Sequence, residues 1–348
     1  MTATSTSPLT ATGPEAGDRF LSLVGDGDEY GAVEMVNALL DAGVPAQRVM
    51  VDLIAPTQAR VGELWATNAW SVAREHAATA ISERALAAVA ARNNTRPTRG
   101  RITVACADGE WHALPGRILG EVLRLDGWRV DFLGANVPGP HLVTHLHQTG
   151  PDAVALSCMI PTRLPRAHAA ITACRSVGVP VIAGGRGFGP DGRWARKLGA
   201  DAWEPHADAA VMRLAENWPP PLTDPYKASL GSSGALGDEE YTYVVRNRAT
   251  LVRTGLDKLH AAYPGMAEYD QRQTDATAED LGHIVDFLAA ALYVGDQVIF
   301  TDFVSWTQAV LEARGVPAVA LQTGLRLVRD QLRDYPAARG FLDAGLAA

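Results

Sequence analysis

The chain has 348 residues, of which 47% are hydrophobic and 20% charged, and a formal net charge of −8. That size allows two or three domains of ordinary globular composition. No apolar run approaches the ~20 residues that cross a bilayer, and the acidic balance argues against nucleic acid as the direct partner, because phosphate binding wants a basic face. Cys106, Cys158 and Cys174 lack metal-site spacing and fall in or beside apolar stretches. They are expected to be buried free thiols in a reducing cytoplasm.

Residues 1–17, rich in Thr, Ser, Ala and Pro without a basic start or apolar core, read as a disordered tail rather than a secretion signal. Over residues 18–95, apolar positions recur every three or four residues, with breaks at Gly25-Asp26-Gly27 and Gly43-Val44-Pro45. This predicts a four-helix bundle. A polar linker leads to residues 100–218, where strands at 102–107, 128–133, 153–157, 179–183 and 201–204 alternate with helices at 116–125, 141–147, 165–177 and 194–198. That rhythm implies a parallel five-stranded sheet of Rossmann or flavodoxin type, covered on both faces. Residues 219–237, rich in Pro, Gly and Ser, form a second linker. Residues 238–348 are helical again, with helices expected at 238–262, 278–294, 298–314 and 317–335 and breaks at Pro264-Gly265, Gly295-Asp296 and Gly315-Val316-Pro317. In the third of these, Phe303, Trp306, Val310 and Leu311 share a face and are expected in the core. The fold class is α/β plus all-α.

Just past the first strand stands Gly109-Glu110-Trp111-His112. A histidine there lies at the carboxyl edge of the sheet, where ligands of such folds bind. Glu110, two residues earlier, can accept a hydrogen bond from the imidazole N–H remote from a metal. Such a carboxylate fixes the tautomer and raises ligand basicity. Glu110-x-His112-x-x-Pro115 is followed after 41 residues by Ser157-Cys158-Met159, then after 24 more by Gly184-Gly185. This register resembles the cobalamin-binding domains of methionine synthase and its relatives, whose pattern is Asp-x-His-x-x-Gly, Ser-x-Leu and Gly-Gly. The resemblance implies that His112 is the lower cobalt ligand in place of the cofactor's own base. Ser157 would meet the displaced base, and Gly184 and Gly185 the nucleotide tail. Glu110 for Asp, Pro115 for Gly and Met159 for Leu are departures.

In the first block, Trp65 is separated by nine residues from Glu75-His76, with Val72 between. Thr67-Asn68 should break one helix and Ser71 should cap the next. The spacing resembles the helical cap of the light-sensing, adenosylcobalamin-dependent transcription factors of the CarH and LitR type, which covers the upper, adenosyl face. Trp65, Val72 and Glu75 would then supply a stacking surface, an apolar wall and an acceptor, with His76 alongside. In those factors a histidine follows the Trp and captures cobalt after illumination. Here the residue is Ala66, so His76, His141, His145 or His147 would have to serve.

The sequence shows no MerR-like helix-turn-helix before the bundle. The order of cap, cobalamin block and third helical block resembles the photocobilins, which pair B12 with biliverdin on a globin-like domain. Patterns such as Asp302-Phe303-Val304-Ser305-Trp306 contribute to this likeness. Arg246, Arg248 and Arg253 are candidate cations for propionates; His260, Tyr263, His283 and Tyr293 are candidate polar groups at the pyrroles, and His260 or His283 would also suit haem. Residues 238–348 contain no cysteine, so a bilin held within them would be non-covalent. The resemblances imply a cytoplasmic light sensor, not an enzyme, that signals through homo-oligomer association or a downstream partner. The alternative is a corrinoid protein carrying methyl groups for a methyltransferase; a passive cobalamin store is a third reading.

Overall fold

The computed structural model describes residues 12–216, 237–262, 266 and 268–348. The start of the expected tail, the linker over 219–236 and Tyr263 lie outside these. The chain divides into two compact units: Met1–Met159 with Ala169–Pro225, and Ile160–His168 with Tyr226–Ala348. No helix among the described residues is long and apolar enough to cross a membrane.

The first unit opens with four helical segments. Helix α1 (Pro14–Gly25) starts inside the stretch expected to be disordered, because Pro14 sits at a helix start, where a missing N–H costs nothing. In α2 (Glu29–Asp41), Asp28 caps the backbone N–H of Gly31 at 2.8 Å. The third helix, α3, runs through Ala46–Arg48, a π-helical stretch Val49–Ile54 and Ala55–Ala66. Pro56 has no N–H to continue the ladder, and Ala55 donates five residues back to Met50 instead. Helix α4 (Val72–Ala91) is capped by Ser71, whose hydroxyl accepts from Arg74 N–H at 3.2 Å, and Asn68 before it takes a left-handed φ of 59°. Both features match the expected break and cap. These helices bury Phe20, Val36, Met50, Leu53, Val61 and Leu86 in one core.

The sheet follows: β1 (Arg101–Cys106), β2 (Arg129–Gly134), β3 (Ala153–Ser157), β4 (Val181–Gly184) and β5 (Ala202–Glu204), all parallel, in the order β2-β1-β3-β4-β5. The central β1 and β3 are apolar and buried along nearly their whole length, as strands covered on both faces must be. The intervening helices are α5 (Ala113–Leu125), α6 (Gly139–Thr149), α7 (Leu164–Ser176) and α8 (Arg193–Lys197). A further α9 (Ala207–Ala215) was not expected from the sequence. Leu114, Ile118 and Val122 of α5 join the core of the four preceding helices, so α5 ties that layer to the sheet.

The second unit holds α10 (Glu239–Arg246), α11 (Arg248–Ala262), α12 (Gln271–Val294), α13 (Val298–Ala313), α14 (Ala318–Gln331) and α15 (Pro336–Ala347). The single helix expected over 238–262 is broken, because the Asn247 side chain donates to Tyr243 O at 2.9 Å and ends α10. Helix α15 was missed; Glu240 caps it by accepting from the N–H groups of Ala337 and Ala338 at 3.1 and 2.8 Å. The buried face of α13 runs through Phe300, Phe303, Val304 and Thr307, whereas Trp306 is 49% exposed. The expected stripe was therefore rotated by about one position. Phe303 stacks on Phe287 with ring centres 4.0 Å apart.

Candidate functional site

Strand register assembles the site. Cys106, the last residue of β1, lies opposite Ser157, the last of β3, and Ser157 lies opposite Gly184, the last of β4. Three segments far apart in sequence thus end in one row at the carboxyl edge. In the order 2-1-3-4-5, the chain leaves β1 and β3 in opposite directions, and the crevice between those strands is where ligands sit.

The loop after β1 places Glu110 and His112 over that crevice. Glu110 is 1% exposed, and its carboxylate is surrounded by donors. Oε1 accepts from the His112 backbone N–H at 3.0 Å and lies 2.6 Å from His112 Nδ1; Oε2 accepts from Met159 N–H at 2.7 Å. Burial pushes the Glu110 carboxyl upward, but the hydrogen bonds from the His112 ring and backbone and from Met159 outweigh it and leave the group below the ordinary carboxylate value. An ionised Glu110 keeps the proton on Nδ1. Nε2 of His112, on a side chain 56% exposed, then presents its lone pair outward, with no partner among the described residues. A neutral imidazole with one nitrogen anchored by carboxylate and the other free is the donor a transition metal such as cobalt takes.

Behind this pair, Cys106 is fully buried, and burial followed by the nearby Glu110 pushes its thiol up to about 12. All three cysteines are buried and none forms a disulfide, as expected. Ser157 is nearly buried at 7% exposure. Gly185 has φ of 103°, and a Cβ there would stand 2.3 Å from the Cys158 carbonyl oxygen. Glycine is thus required by close approach of the chain's own backbone, not only by a ligand. Gly184 is less constrained, since its Cβ would meet Glu204 O at 3.4 Å. The β3 end, the Gly185 turn and the outward His112 Nε2 fit a corrinoid with a nucleotide tail.

In the helical layer, Trp65 is half-buried at the end of α3, and Val72 is 54% exposed at the start of α4. Glu75 was expected to be an acceptor; its Oε1 accepts from Thr79 Oγ1 at 2.9 Å, and its Oε2 lies against His76 Nδ1. Thr79 is held in turn by Gln58 at 2.6 Å. His76 is 74% exposed, with Nε2 free of partners among the described residues. His145 differs, because its Nε2 is turned to Asp131 at 3.3 Å.

In the second unit, Arg253, His260 and His283 are exposed, on α11 and α12. Arg248, another candidate cation, is committed to a two-pronged pair with Asp286 at 2.6 and 2.8 Å. The polar cluster that does form is Tyr293, whose hydroxyl lies 2.6 Å from His168 Nδ1, with Tyr241 packed at 4.9 Å. His168 was missed; it comes from the segment 160–168, which sequence order assigns to the sheet. Asn136 was missed too, because its role depends on a fold contact across 27 residues.

A flavodoxin-like parallel sheet with a carboxylate–histidine pair at its switch point has the layout of a cofactor-binding module. The comparisons agree. Residues 100–215 match the family model of the B12 binding domain, and residues 17–90 match a second model of the same description. These two stretches are B12-binding domains, and cobalamin is the cofactor they indicate. The HTH-type transcriptional repressor CarA of Myxococcus xanthus is 32% identical over 178 residues, 49% of this chain and 58% of that protein. A corrinoid protein of Desulfitobacterium hafniense is 26% identical over 119 residues, 33% of this chain and 54% of the relative. The chain thus spans little more than half the length of these relatives. The solved monomethylamine corrinoid protein of Methanosarcina barkeri shares the fold, with a TM-score of 0.51 at 18% identity over 58% of this chain and 97% of that one.

Proposed function

We propose that the chain is a light sensor that binds adenosylcobalamin base-off, with His112 as the lower ligand and a cap of Trp65, Val72, Glu75 and His76 over the upper face. The observation that carries this is the anchored Glu110–His112 pair at the β1/β3 switch point, beside a helical layer that itself matches a B12 binding domain. The cofactor supplies a light-labile cobalt–carbon bond. The chain's residues do the rest. Glu110 keeps the Nδ1 proton, which would leave Nε2 to hold the metal. The β3 end and the Gly184-Gly185 turn would hold the displaced base and nucleotide tail. Trp65 and Val72 offer apolar surface to an adenosine, and loss of that ligand would let the cap repack.

His76 is the best candidate to meet the emptied face, since Glu75 fixes its Nδ1 and leaves Nε2 outward. Among the described residues no carboxylate pairs with His141 or His147, and His145 is turned to Asp131. The signal would leave through light-dependent homo-oligomer association and a downstream partner in the cytoplasm, by the bistability of subunit interfaces. The second unit would be a globin-like domain that binds biliverdin and extends the response to red light.

A second reading, a corrinoid protein that carries methyl groups, is favoured by one observation. The trimethylamine corrinoid protein of Methanosarcina barkeri is matched over 90% of its length at 23% identity. One experiment separates them. The full chain is loaded with adenosylcobalamin in the dark, and its absorption spectrum and mass in solution are recorded before and after green light. A sensor changes both; unchanged spectrum and mass would leave the methyl carrier or a passive store. Absence of a protein-bound, red-shifted band on adding biliverdin would remove the bilin alone.

A further inference from the structure

We infer that Asn136 is a positioning residue that presets the lower-ligand loop, so that the Glu110–His112 pair is assembled before the cofactor arrives. The inference rests on the cobalamin reading of this site. The loop from Ala107 to His112 turns sharply at Gly109, whose φ is 78°, and its backbone needs partners from another element. They come from the turn between β2 and α6. The Gly109 N–H donates to Asn136 Oδ1 at 2.8 Å, the Asn136 N–H donates to Glu110 O at 2.7 Å, and the Val137 N–H donates to Cys106 O at 3.3 Å.

Asn136 therefore grips the loop on both sides of the Gly109–Glu110 peptide. Glu110 is fixed at two ends: Asn136 holds its carbonyl, and Met159 N–H holds its carboxylate. With both ends fixed, Oε1 stays within 2.6 Å of His112 Nδ1. Asn136 pays for its place with a φ of 50°, and with Asn68 it is one of two non-glycine residues among those described in the left-handed region. Asparagine tolerates that region better than other residues with a side chain. Among the common side chains, asparagine and aspartate combine this tolerance with an acceptor short enough for the Gly109 N–H.

Three substitutions separate backbone from side chain. Asn136→Asp keeps both the acceptor and the left-handed tolerance. Asn136→Gly keeps the backbone freedom and loses the acceptor, and Asn136→Ala loses both. Each full-length variant is titrated with cobalamin, and the absorption of bound cobinamide is recorded alongside the melting temperature. Cobinamide lacks the nucleotide base, so a nitrogen-ligated spectrum comes from the protein alone. Asn136→Asp should bind within about threefold of the original chain. Asn136→Gly and Asn136→Ala should bind ~10-fold more weakly, the loss of one hydrogen bond to a partly buried loop. Both should also show a smaller nitrogen-ligated fraction of bound cobinamide, which free imidazole restores. Gly and Ala variants with unchanged affinity and spectrum would overturn the inference. So would weaker affinity with an undiminished nitrogen-ligated fraction, the mark of a merely structural role. If His112→Ala gives the same cobinamide spectrum as the original chain, the reading of the site itself fails, and this inference with it.

Discussion

Replacing Glu110 by Gln tests how much the buried carboxylate contributes. The carboxylate accepts from His112 N–H, from Met159 N–H and from the His112 ring, at 3.0, 2.7 and 2.6 Å. A glutamine of the same shape has one acceptor oxygen, so its amide NH2 must face Met159 N–H or the His112 pair. One charge-assisted bond is lost and a donor is left facing a donor in a site that is 1% exposed. Bonds to charged groups contribute about 1.5–3 kcal/mol each. A net loss of about 2 kcal/mol converts to ~30-fold weaker binding, inside the ~10–100-fold range seen when carboxylate partners of metal-bound histidines are removed. The assay is a titration of the full chain with cobalamin, followed by tryptophan quenching. Glu110→Asp, which keeps the charge with shorter reach, should fall between the two. Glu110→Gln with an affinity within about twofold of the original chain would refute the argument that this carboxylate orients the ligand.

Gly185 and Gly116, a glycine of α5 that faces Cys106 and Ser157, differ in what they tolerate. Gly185→Ala drives a Cβ to 2.3 Å from a backbone oxygen at a φ of 103° and should abolish detectable cobalamin binding, whereas Gly116→Ala meets its nearest atoms at 3.7 Å and should bind normally in the same titration. Ile118→Ala, which opens the core shared by α5 and the helical layer, should lower unfolding free energy in a urea titration by about 2–5 kcal/mol. Glu240→Ala removes the acceptor for two N–H groups at the start of α15 and should cost about 0.5–2 kcal/mol, read by thermal melting at neutral pH.

Much of the sheet domain is legible in the sequence because its signals are local. The apolar runs of β1 and β3 end at polar or glycine positions, and the intervals from His112 to Ser157 and to Gly184 encode the parallel register that aligns them. Ser71 and Asn68 likewise announce their cap and break. The gaps are non-local. Nothing in the residue order says that Met159 N–H reaches Glu110, or that Asn136 closes the loop, since both depend on which strands neighbour each other. The helical unit is less legible for a related reason. Arginine and histidine occur on solvated helix faces whatever their role, so Arg253, His260 and His283 could be ranked but not grouped. His168 could not be foreseen there at all, coming from a helix that sequence order assigns to the sheet domain. The missed α15 did carry a signal, Pro336 at its first turn. The slip on α13 shows that a stripe read at a spacing of 3.6 leaves its angle open by a residue.

The central claim is that His112 Nε2 binds cobalt. Electron paramagnetic resonance of the full chain with cob(II)alamin tests it most directly, because each nitrogen on the axis splits the signal. Protein labelled with 15N-histidine should turn the threefold splitting of the unlabelled sample into a twofold one, and His112→Ala in the same label should lose that twofold pattern. A threefold splitting retained in the 15N-labelled original chain would mean that the cofactor keeps its own base, and would contradict the account.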